Sequence, residues 1–307
     1  MIARQLSSNP IRKSQVAFVF VFVLPTTRCL AHCEFCFYET GHSERVEAVD
    51  FVEPLDGALE ALLDQGLQQV IISGGEPLLA PTLPDLLALL ADKMIHLLLL
   101  SHGELLDEQR LEQLEEATVD DITISALDVG QQLRETVHRI MFHSRYTPTL
   151  LTCLNRANVG QVPGLLEFST HRNLPHLFTP VHVPREAACH DKYSLRGLDD
   201  GEWEQLVRTL EPWAAASDSA FYLGMMRDFY RDMPVHPGFC PMGTRGLVID
   251  ADGSVYPCFH RHDLGAGNLL VDPWEQIQAN LEHKGKALIG APCFGEHCLS
   301  MFAGIQQ

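Results

Sequence analysis

Six short apolar runs, separated by amphipathic stretches, constrain the fold of this chain more than any other feature. The runs cover residues 16–24, 69–73, 95–101, 120–127, 148–154 and 177–183, and the amphipathic stretches lie near 53–65, 82–92, 107–116, 130–143 and 160–172. Strands that alternate with helices form parallel βαβ units. The pattern therefore predicts an α/β fold, a partial (β/α)6 TIM-like barrel, with its chemistry at the carboxyl ends of the strands.

The first run also resembles the apolar core of a signal peptide, because Arg12 and Lys13 precede it. It lacks a small-residue cleavage site and is too short to span a bilayer. β-branched and aromatic residues dominate it, as in a strand buried on both faces. We therefore predict that it is the first barrel strand and that the protein is cytoplasmic, without a membrane partner.

Charge and cysteine content narrow the function classes. The 307 residues carry a formal net charge of −18, so no electrostatic footprint for nucleic acid or an anionic membrane is expected. Nine cysteines in a chain without an export signal indicate thiolates that bind metal and not disulfides.

Three of these cysteines, Cys29, Cys33 and Cys36, follow the first run with the spacing C-x3-C-x2-C. Three thiolates can bind three irons of a [4Fe-4S] cube and leave the fourth iron open to a small ligand. Two other interpretations stay open on spacing alone. The same positions share one face of a helix, and with His32 they could bind zinc.

The second apolar run ends in Gly74-Gly75-Glu76. Two glycines at a strand end let the backbone approach a ligand closely. A carboxylate and exposed carbonyl groups at that point can hold an ammonium group. An ordinary strand-to-helix turn is the alternative.

Together, the cysteine triplet and the Gly-Gly-Glu run resemble the radical S-adenosylmethionine (SAM) superfamily. The resemblance implies that the triplet holds a [4Fe-4S] cluster that binds SAM, and that the Gly-Gly-Glu run binds the methionine amino group. It further implies an external low-potential electron donor and reductive cleavage of SAM to methionine and a 5'-deoxyadenosyl radical. That radical would abstract a hydrogen atom from the substrate.

The same resemblance implies further cofactor contacts. Phe35 matches the aromatic position placed against adenine, and Ser125 and Asp128 match polar strand-end positions near the ribose and carboxylate. Asn155, after the fifth run, is another expected contact. Polar turns and an aromatic in an apolar loop are the alternatives. Relatives commonly show Thr-Asn-Gly after the third strand, whereas this chain has Ser-His-Gly at 101–103, so a contact there stays open.

A second set of cysteines lies near the carboxyl terminus: Cys240, Cys258, Cys293 and Cys298. Asp252-Gly253 predicts a two-residue hairpin turn that folds Cys258 back toward Cys240. The stretch resembles the SPASM/twitch extension of radical SAM enzymes. Because only four cysteines are available, the resemblance implies a shortened, twitch-like version with one auxiliary [4Fe-4S] cluster, although four thiolates could equally hold structural zinc.

We therefore predict an N-terminal extension (1–15), a radical SAM barrel (16–183), a connector (184–239) and a small cysteine-rich auxiliary cluster domain (240–307). Cys153 and Cys189 belong to neither set. Cys153 is expected to be a small buried hydrophobe, and Cys189, beyond the sixth run, could donate a hydrogen atom in an epimerisation. His260 and His262 are the nearest candidates for a proton acceptor in an oxidation.

Three functions follow as hypotheses. The first is modification of a peptide by crosslinking, epimerisation or oxidation. It would need a separate peptide-recognition protein, since the first strand begins too early for a fused leader-binding domain. The second is oxidation or epimerisation of a small molecule such as an amino sugar or aminocyclitol. The third is a non-catalytic metal-binding or electron-transfer protein, which would have no use for the Gly-Gly-Glu run.

Overall fold

A nine-stranded sheet organises the described part of the chain. The structure is a computed structural model that describes residues 18–40, 44–233, 241–288 and 299. The strands are β1 (Phe20–Val23), β2 (Gln69–Ile72), β3 (His96–Ser101), β4 (Asp121–Ser125), β5 (Thr149–Leu154), β6 (His176–Pro180), β7 (Gly246–Ile249), β8 (Ser254–Tyr256) and β9 (Gly267–Asn268). Their spatial order is β6-β5-β4-β3-β2-β1-β7-β8-β9. Pairing is parallel from β6 to β7 and antiparallel for β8 and β9.

The predicted alternation of strands and helices is confirmed. The helices are α1 (Val52–Asp64), α2 (Leu83–Ala91), α3 (Glu108–Glu116), α4 (Gln131–His143), α5 (Val162–His171), the short α6 (His190–Tyr193), α7 (Asp200–Ala216), α8 (Ala220–Tyr230) and α9 (Trp274–Leu288). Side chains at the helix starts explain several boundaries. Asp107 accepts the Arg110 N–H ahead of α3, and Asp199 and Glu202 form a capping box at α7. Local sequence therefore determines where these helices begin.

The C-terminal part of the chain extends the barrel sheet. Strand β7 lies parallel to β1, with Phe20 opposite Gly246 and Val23 opposite Ile249. The predicted hairpin to β8 is present, but its turn has three residues instead of two, because the Asp250 N–H donates to the Ser254 carbonyl. Gly253 in this turn has φ +80°, which a glycine adopts without strain. The chain therefore returns along β7 immediately after it turns.

The two halves of the inner sheet face, the face opposite to α1–α5, differ in polarity. Side chains alternate along each strand, so the pairing register identifies those that share this face. The half formed by β1, β2, β3 and β7 presents Phe20, Phe22, Ile71, Leu98 and Val248. The half formed by β4, β5 and β6 presents two leucines among polar side chains: Thr123, Ser125, Thr149, Leu151, Cys153, Leu177 and Thr179. The barrel interior thus has one apolar wall and one wall with hydroxyl and thiol groups.

A second apolar core lies beyond β6. Helices α7 and α8 pack there around Trp203, Met226 and Phe229, against Leu154 and Phe178 of the sheet. Both helices belong to the segment predicted as a connector, 184–239. Across the opening of the barrel, the ring of His182, which follows β6, lies 4.9 Å from that of His260. None of the helices in the described ranges combines the length and apolar character that a bilayer crossing requires.

Candidate active site

The cysteine triplet lies in a loop directly after β1, at the carboxyl end of the strand. The loop consists of turns, with the Cys36 N–H donating to the Cys33 carbonyl at 2.9 Å. The alternative in which the triplet forms one face of a helix is therefore wrong. All three thiols are free and half-buried. They are thus accessible from the barrel mouth without being fully in solvent.

The electrostatics of the loop fit a group of high positive charge. Burial raises the pKa of the Cys33 thiol, and the neighbouring Cys36 and Cys29 raise it further. Burial raises the pKa of Cys36 as well. Three thiolates here need a cationic centre to offset their mutual repulsion. Within the described residues, no three His, Cys, Asp or Glu side chains converge as ligands of one metal ion.

The two glycines of the Gly-Gly-Glu run hold the β2 end against the chain that leads into the triplet. The Gly75 N–H donates to the Thr26 carbonyl at 2.8 Å, and the Glu76 N–H donates to the Arg28 carbonyl at 2.7 Å. A Cβ at Gly74 would lie 2.6 Å from the Thr26 carbonyl oxygen, and one at Gly75 would lie 2.1 Å from the Arg28 carbonyl oxygen. Only glycine permits this approach. The predicted cluster loop and the predicted ammonium site are therefore one backbone unit.

The Glu76 side chain is fully buried and hydrogen-bonded to the end of β3. Its carboxylate accepts the Ser101 hydroxyl at 2.8 Å, the His102 N–H at 3.0 Å and the Leu78 N–H at 3.3 Å. The His102 Nε2 lies 3.2 Å away without hydrogen-bond geometry. The Ser-His-Gly sequence at 101–103 therefore has a structural role that sequence reasoning missed. Gly74 and Gly75 are half-buried, so the backbone of these two glycines is the more accessible part of the run.

The predicted contacts on β4 and β5 lie at the same barrel mouth. Ser125 is exposed at the end of β4, and the Asp128 carboxylate accepts the Gly130 N–H at 2.7 Å, ahead of α4. The Asn155 side chain is 2% exposed, donates to the Cys153 carbonyl and accepts the Ala157 N–H. Ser125 thus has a side chain open to a ligand, whereas Asn155 shapes the turn after β5.

The short helix α6 packs on the cluster loop. The Cys189 thiol donates to the Glu34 carbonyl at 3.3 Å, and Lys192 forms an ion pair with the Glu34 side chain at 2.9 Å. The ring of Tyr193 meets that of Phe35 edge-on, with centroids 5.2 Å apart. Cys189 and Phe35 thus both lie beside the triplet. Lys192 and Tyr193 carried no sequence signal, because their contacts cross more than 150 residues.

A buried hydrogen bond links the loop to the β7–β8 hairpin. The Tyr38 hydroxyl lies 3.4 Å from the Asp250 carboxylate, which is 1% exposed. Burial and, to a smaller degree, the nearby Asp252 raise the pKa of Asp250 to about 6. Neither Tyr38 nor Asp250 was predicted. Their only signal is a charged residue at the end of an apolar strand.

Cys153 differs from its prediction. It lies on the inner face of β5 and is only half-buried. Burial and, to a smaller degree, the nearby Cys33 and Cys36 raise the pKa of its thiol to about 12. Cys153 therefore faces the predicted cluster loop from the polar wall.

Of the distal cysteines, Cys240, Cys293 and Cys298 lie outside the described residues. Cys258 follows β8, is buried, and packs in the apolar wall with Phe22 and Val248. The next residue, Phe259, lies 4.6 Å from Phe22 and 5.8 Å from Phe37, between ring centroids. The C-terminal segment therefore enters the barrel interior beneath the cluster loop. His262, in contrast, stacks on Tyr256 outside it.

Comparisons with known proteins agree with this geometry. A model of the radical SAM superfamily matches residues 23–158, and a model of an iron-sulfur cluster-binding domain, SPASM, matches residues 240–286. The structure of anSMEcpe with bound AdoMet has a TM-score of 0.64 at 16% identity, and the match covers 87% of this chain and 82% of that one. At this identity the likeness supports the fold.

Two relatives align along most of the sequence. PqqA peptide cyclase of Gluconobacter oxydans (strain 621H) is 27% identical over 255 residues, which are 76% of this chain and 68% of that protein. The antilisterial bacteriocin subtilosin biosynthesis protein AlbA of Bacillus subtilis (strain 168) is 24% identical over 288 residues, 89% of this chain and 62% of that protein.

The matched families indicate iron-sulfur clusters and SAM as cofactors. The third hypothesis, a non-catalytic metal-binding or electron-transfer protein, is therefore wrong. From its barrel, its cysteine loop and these matches, the chain contains a radical SAM domain and, in its C-terminal part, a SPASM cluster-binding segment, which together indicate an enzyme.

Proposed function

We propose that this enzyme modifies a residue of a peptide by crosslinking, epimerisation or oxidation. The observation that carries the proposal is the pair of sequence relatives, a peptide cyclase and a bacteriocin biosynthesis protein, each aligned along at least three quarters of this chain. The alternative substrate, an amino sugar or aminocyclitol, has no support from either relative.

Cys29, Cys33 and Cys36 would hold the SAM cluster. When bound and reduced by one electron, the cluster with SAM supplies a 5'-deoxyadenosyl radical that takes a hydrogen atom from the substrate. The carbonyls of Gly74 and Gly75 would accept the methionine ammonium group. The buried Glu76 fixes the shape of that pocket through its hydrogen bonds to the β3 end.

The contacts around the loop suggest how the chain orients the nucleoside part of SAM and excludes water. Phe35, held edge-on by Tyr193, offers an apolar surface to adenine. Ser125 and Asp128 offer polar groups at the end of β4. Asn155 is a further predicted contact of SAM, made by the turn that its side chain shapes after β5. Phe22, Phe37 and Phe259 close the opposite wall with apolar rings.

The polar wall of the barrel interior would receive the reacting residue of the peptide. Thr179 and Cys153 face the opening from neighbouring positions of β6 and β5. Cys189 lies at the edge of the same opening, against the cluster loop. In an epimerisation its thiol would return a hydrogen atom to the substrate carbon.

The distal cysteines, Cys240, Cys258, Cys293 and Cys298, would hold one auxiliary [4Fe-4S] cluster. In a crosslink or an oxidation this cluster would accept the second electron from the substrate radical. The enzyme would also need an external low-potential electron donor and a separate protein that recognises the peptide. The polar half of the interior and the buried Cys258 lie on opposite walls, so substrate would sit between the two clusters.

The test combines metal content with product analysis. Anaerobic reconstitution should give about eight irons per chain, the content of two four-iron clusters. With SAM, a reductant and peptides encoded by neighbouring genes, the protein should form 5'-deoxyadenosine, and mass spectrometry should detect a peptide that lost hydrogen or exchanged it with solvent. Cys29→Ala should form neither product.

Two results would contradict parts of the proposal. About four irons with one zinc per chain would exclude the auxiliary cluster. Formation of 5'-deoxyadenosine with an altered amino sugar or aminocyclitol, and unaltered peptides, would exclude the peptide substrate.

A further inference from the structure

We propose that a groove on the outer surface, between α4 and α5, binds an acidic segment of the peptide substrate outside the residue that is modified. The inference rests on the proposed function and adds a second point of contact for the same substrate. It explains how a barrel mouth without a described leader-binding domain could hold a peptide in register.

The groove has a volume of about 270 Å³. Its lining residues are Arg134, Val137, His138, Met141, Phe142 and Arg172. The Phe142 side chain is 73% exposed and that of Met141 is 44% exposed. The His138 ring stacks on Phe142, with centroids 5.6 Å apart. Large apolar side chains beside cationic ones at the surface indicate an interaction site more than a solvated helix face.

The two arginines of the groove are held by stacking on an aromatic ring and not by an ion pair with a carboxylate in the described part of the chain. The guanidinium carbons of Arg134 and Arg172 lie 5.5 Å and 4.1 Å from the ring centroid of Phe168. Within the described residues neither forms an ion pair, whereas Arg185, Arg196 and Arg231 each pair with an aspartate. Stacking orients a guanidinium and leaves its N–H groups free for a carboxylate.

The groove lies on a face whose stretch of sequence has a charge opposite to that of the whole chain. Residues 129–185 carry six arginines and two glutamates, whereas the complete sequence has 22 Lys+Arg and 40 Asp+Glu. One of the two glutamates, Glu135, is bound by the Gln131 side chain. An acidic segment would therefore be attracted to this face and repelled by most of the remaining surface.

The position of the groove relative to the site favours the substrate as its occupant. Helix α4 begins after Gly130, which follows Asp128 at the barrel mouth. At 1.5 Å per residue, Arg134 lies about 6 Å and Phe142 about 18 Å along the helix from Gly130. An extended peptide that leaves the mouth over Gly130 would cover this length with about six residues. Its acidic side chains would meet the arginines, and its apolar ones would cover Phe142 and Met141.

The experiment measures binding of a probe peptide to the reconstituted full-length protein. The probe is a short fluorescein-labelled peptide in which glutamate alternates with leucine, and fluorescence anisotropy reports its binding. We expect the double variant Arg134→Gln/Arg172→Gln to bind it at least ten-fold more weakly. Phe142→Ala, which removes an exposed side chain without affecting the core, should weaken it several-fold. Added salt should weaken binding to the unaltered protein.

Matched controls separate the groove from general charge. Arg208→Gln removes an exposed arginine on α7 that pairs with Glu204, and it should leave binding unchanged. The same peptide with lysine in place of glutamate should not bind. Equal binding of both peptides, equal loss in Arg208→Gln, or undiminished binding in both groove variants would overturn the proposal. Binding of anionic lipid vesicles without binding of the acidic peptide would overturn it as well.

Two readouts distinguish this proposal from the proposed function. Formation of 5'-deoxyadenosine without peptide should be the same in the groove variants as in the unaltered protein, because the groove lies outside the barrel. If no peptide is modified although the probe binds through the groove, the proposed function fails and the groove stands. If peptides are modified equally well by the groove variants, the groove fails and the function stands.

Discussion

Buried polar side chains at the two ends of the barrel differ in their hydrogen-bond partners. At the carboxyl ends, the fully buried Glu76 receives three hydrogen bonds, and glycines bring its backbone against the chain that leads into the cysteine triplet. At the amino ends, His176 is surrounded by Thr152 and Ser169 at 2.9 and 3.1 Å, and the Thr123 hydroxyl has no partner within the described residues.

The amino ends also border a cavity of about 1090 Å³. His96 there pairs with Asp121 at 3.0 Å, and no predicted ligand of a cofactor lies nearby. In barrels of this type the carboxyl face carries the chemistry, and the opposite face contributes stability. The difference teaches that burial of a polar group alone does not identify a site. The useful sign is a buried charge whose own backbone is hydrogen-bonded to the chain that leads into the cysteine loop.

Gly75→Ala should give the largest effect, since its Cβ would lie 2.1 Å from the Arg28 carbonyl oxygen. The chain that leads to Cys29 would have to shift, and misplacement of a reacting group by about 1 Å can cost about 100-fold in rate. Both 5'-deoxyadenosine formation and iron content after reconstitution should fall accordingly. Gly57→Ala is the control, because a Cβ at this position would have no heavy atom within 4 Å. This variant should be more stable by about 0.5–1 kcal/mol and fully active. A fully active Gly75→Ala protein would contradict the assignment of the chemistry to the carboxyl end of the barrel.

Glu76→Gln should have the next largest effect. The substitution removes a buried charge, and its amide would point N–H groups at donors from Ser101, His102 or Leu78. Hydrogen bonds to charged groups contribute about 1.5–3 kcal/mol each, so we expect about a ten-fold or greater loss in kcat/KM for SAM. Glu112→Gln on the exposed face of α3 should change neither kcat nor KM. Equal kinetics for both variants would show that the Glu76 charge is dispensable.

His176→Phe should act on stability and not on chemistry. Burial lowers the pKa of His176 to about 3, whereas an unfolded histidine titrates near 6.5. Between these values the unfolded chain binds a proton that the folded chain does not. The free energy of unfolding of the unaltered protein should therefore fall as pH drops below about 6.5, by up to about 1.4 kcal/mol per unit from this residue.

Denaturant unfolding at pH 7 and pH 5 measures this slope. The variant should be less stable at pH 7, because Thr152 and Ser169 each lose one hydrogen bond, but its stability should depend less on pH. The exposed His171, changed to Gln, should leave the slope unchanged. An unchanged slope in His176→Phe would contradict the assignment.

Thr123→Val should give the smallest effect. It removes a buried hydroxyl without a partner in the described part of the chain and keeps the β-branched shape. The expected result is a gain of up to about 1 kcal/mol in the free energy of unfolding, because an unsatisfied hydroxyl costs free energy to bury. Activity should be unchanged. A loss of activity would move Thr123 from the structural end of the barrel to the substrate site.

The sequence predicts the first six strands to within a few residues, since each is a local apolar run with turn residues at its ends. It also places the triplet and the Gly-Gly-Glu run at one mouth, because both follow parallel strands. It cannot predict that β7 pairs with β1, as this contact joins residues more than 220 positions apart. Helix α8 escapes prediction because apolar residues almost surround it, so no amphipathic period stands out.

Among site residues, those with a motif were found and those that act through distant contacts were missed. Ser101 and Asp250 belong to the second kind: each is an ordinary polar residue until the fold brings it to Glu76 or Tyr38. Cys153 was assigned to the core because it lies in a strand, yet only the curvature of the sheet decides whether an inward side chain meets packing or an opening.

The position of β1 between β2 and β7 has a further consequence. Backbone ladders on both sides of this strand fix the chain that leads to Cys29 and the hairpin that leads to Cys258. The strand ends from which the chain leads to these two cysteines are therefore held by main-chain register, which side-chain substitutions leave intact. Electron tunnelling slows exponentially with distance, so a slip of one residue, about 3.3 Å, would change the rate of exchange between centres at these positions. Side-chain substitutions in the barrel interior can therefore change which substrate is accepted while the positions of these strand ends stay constant.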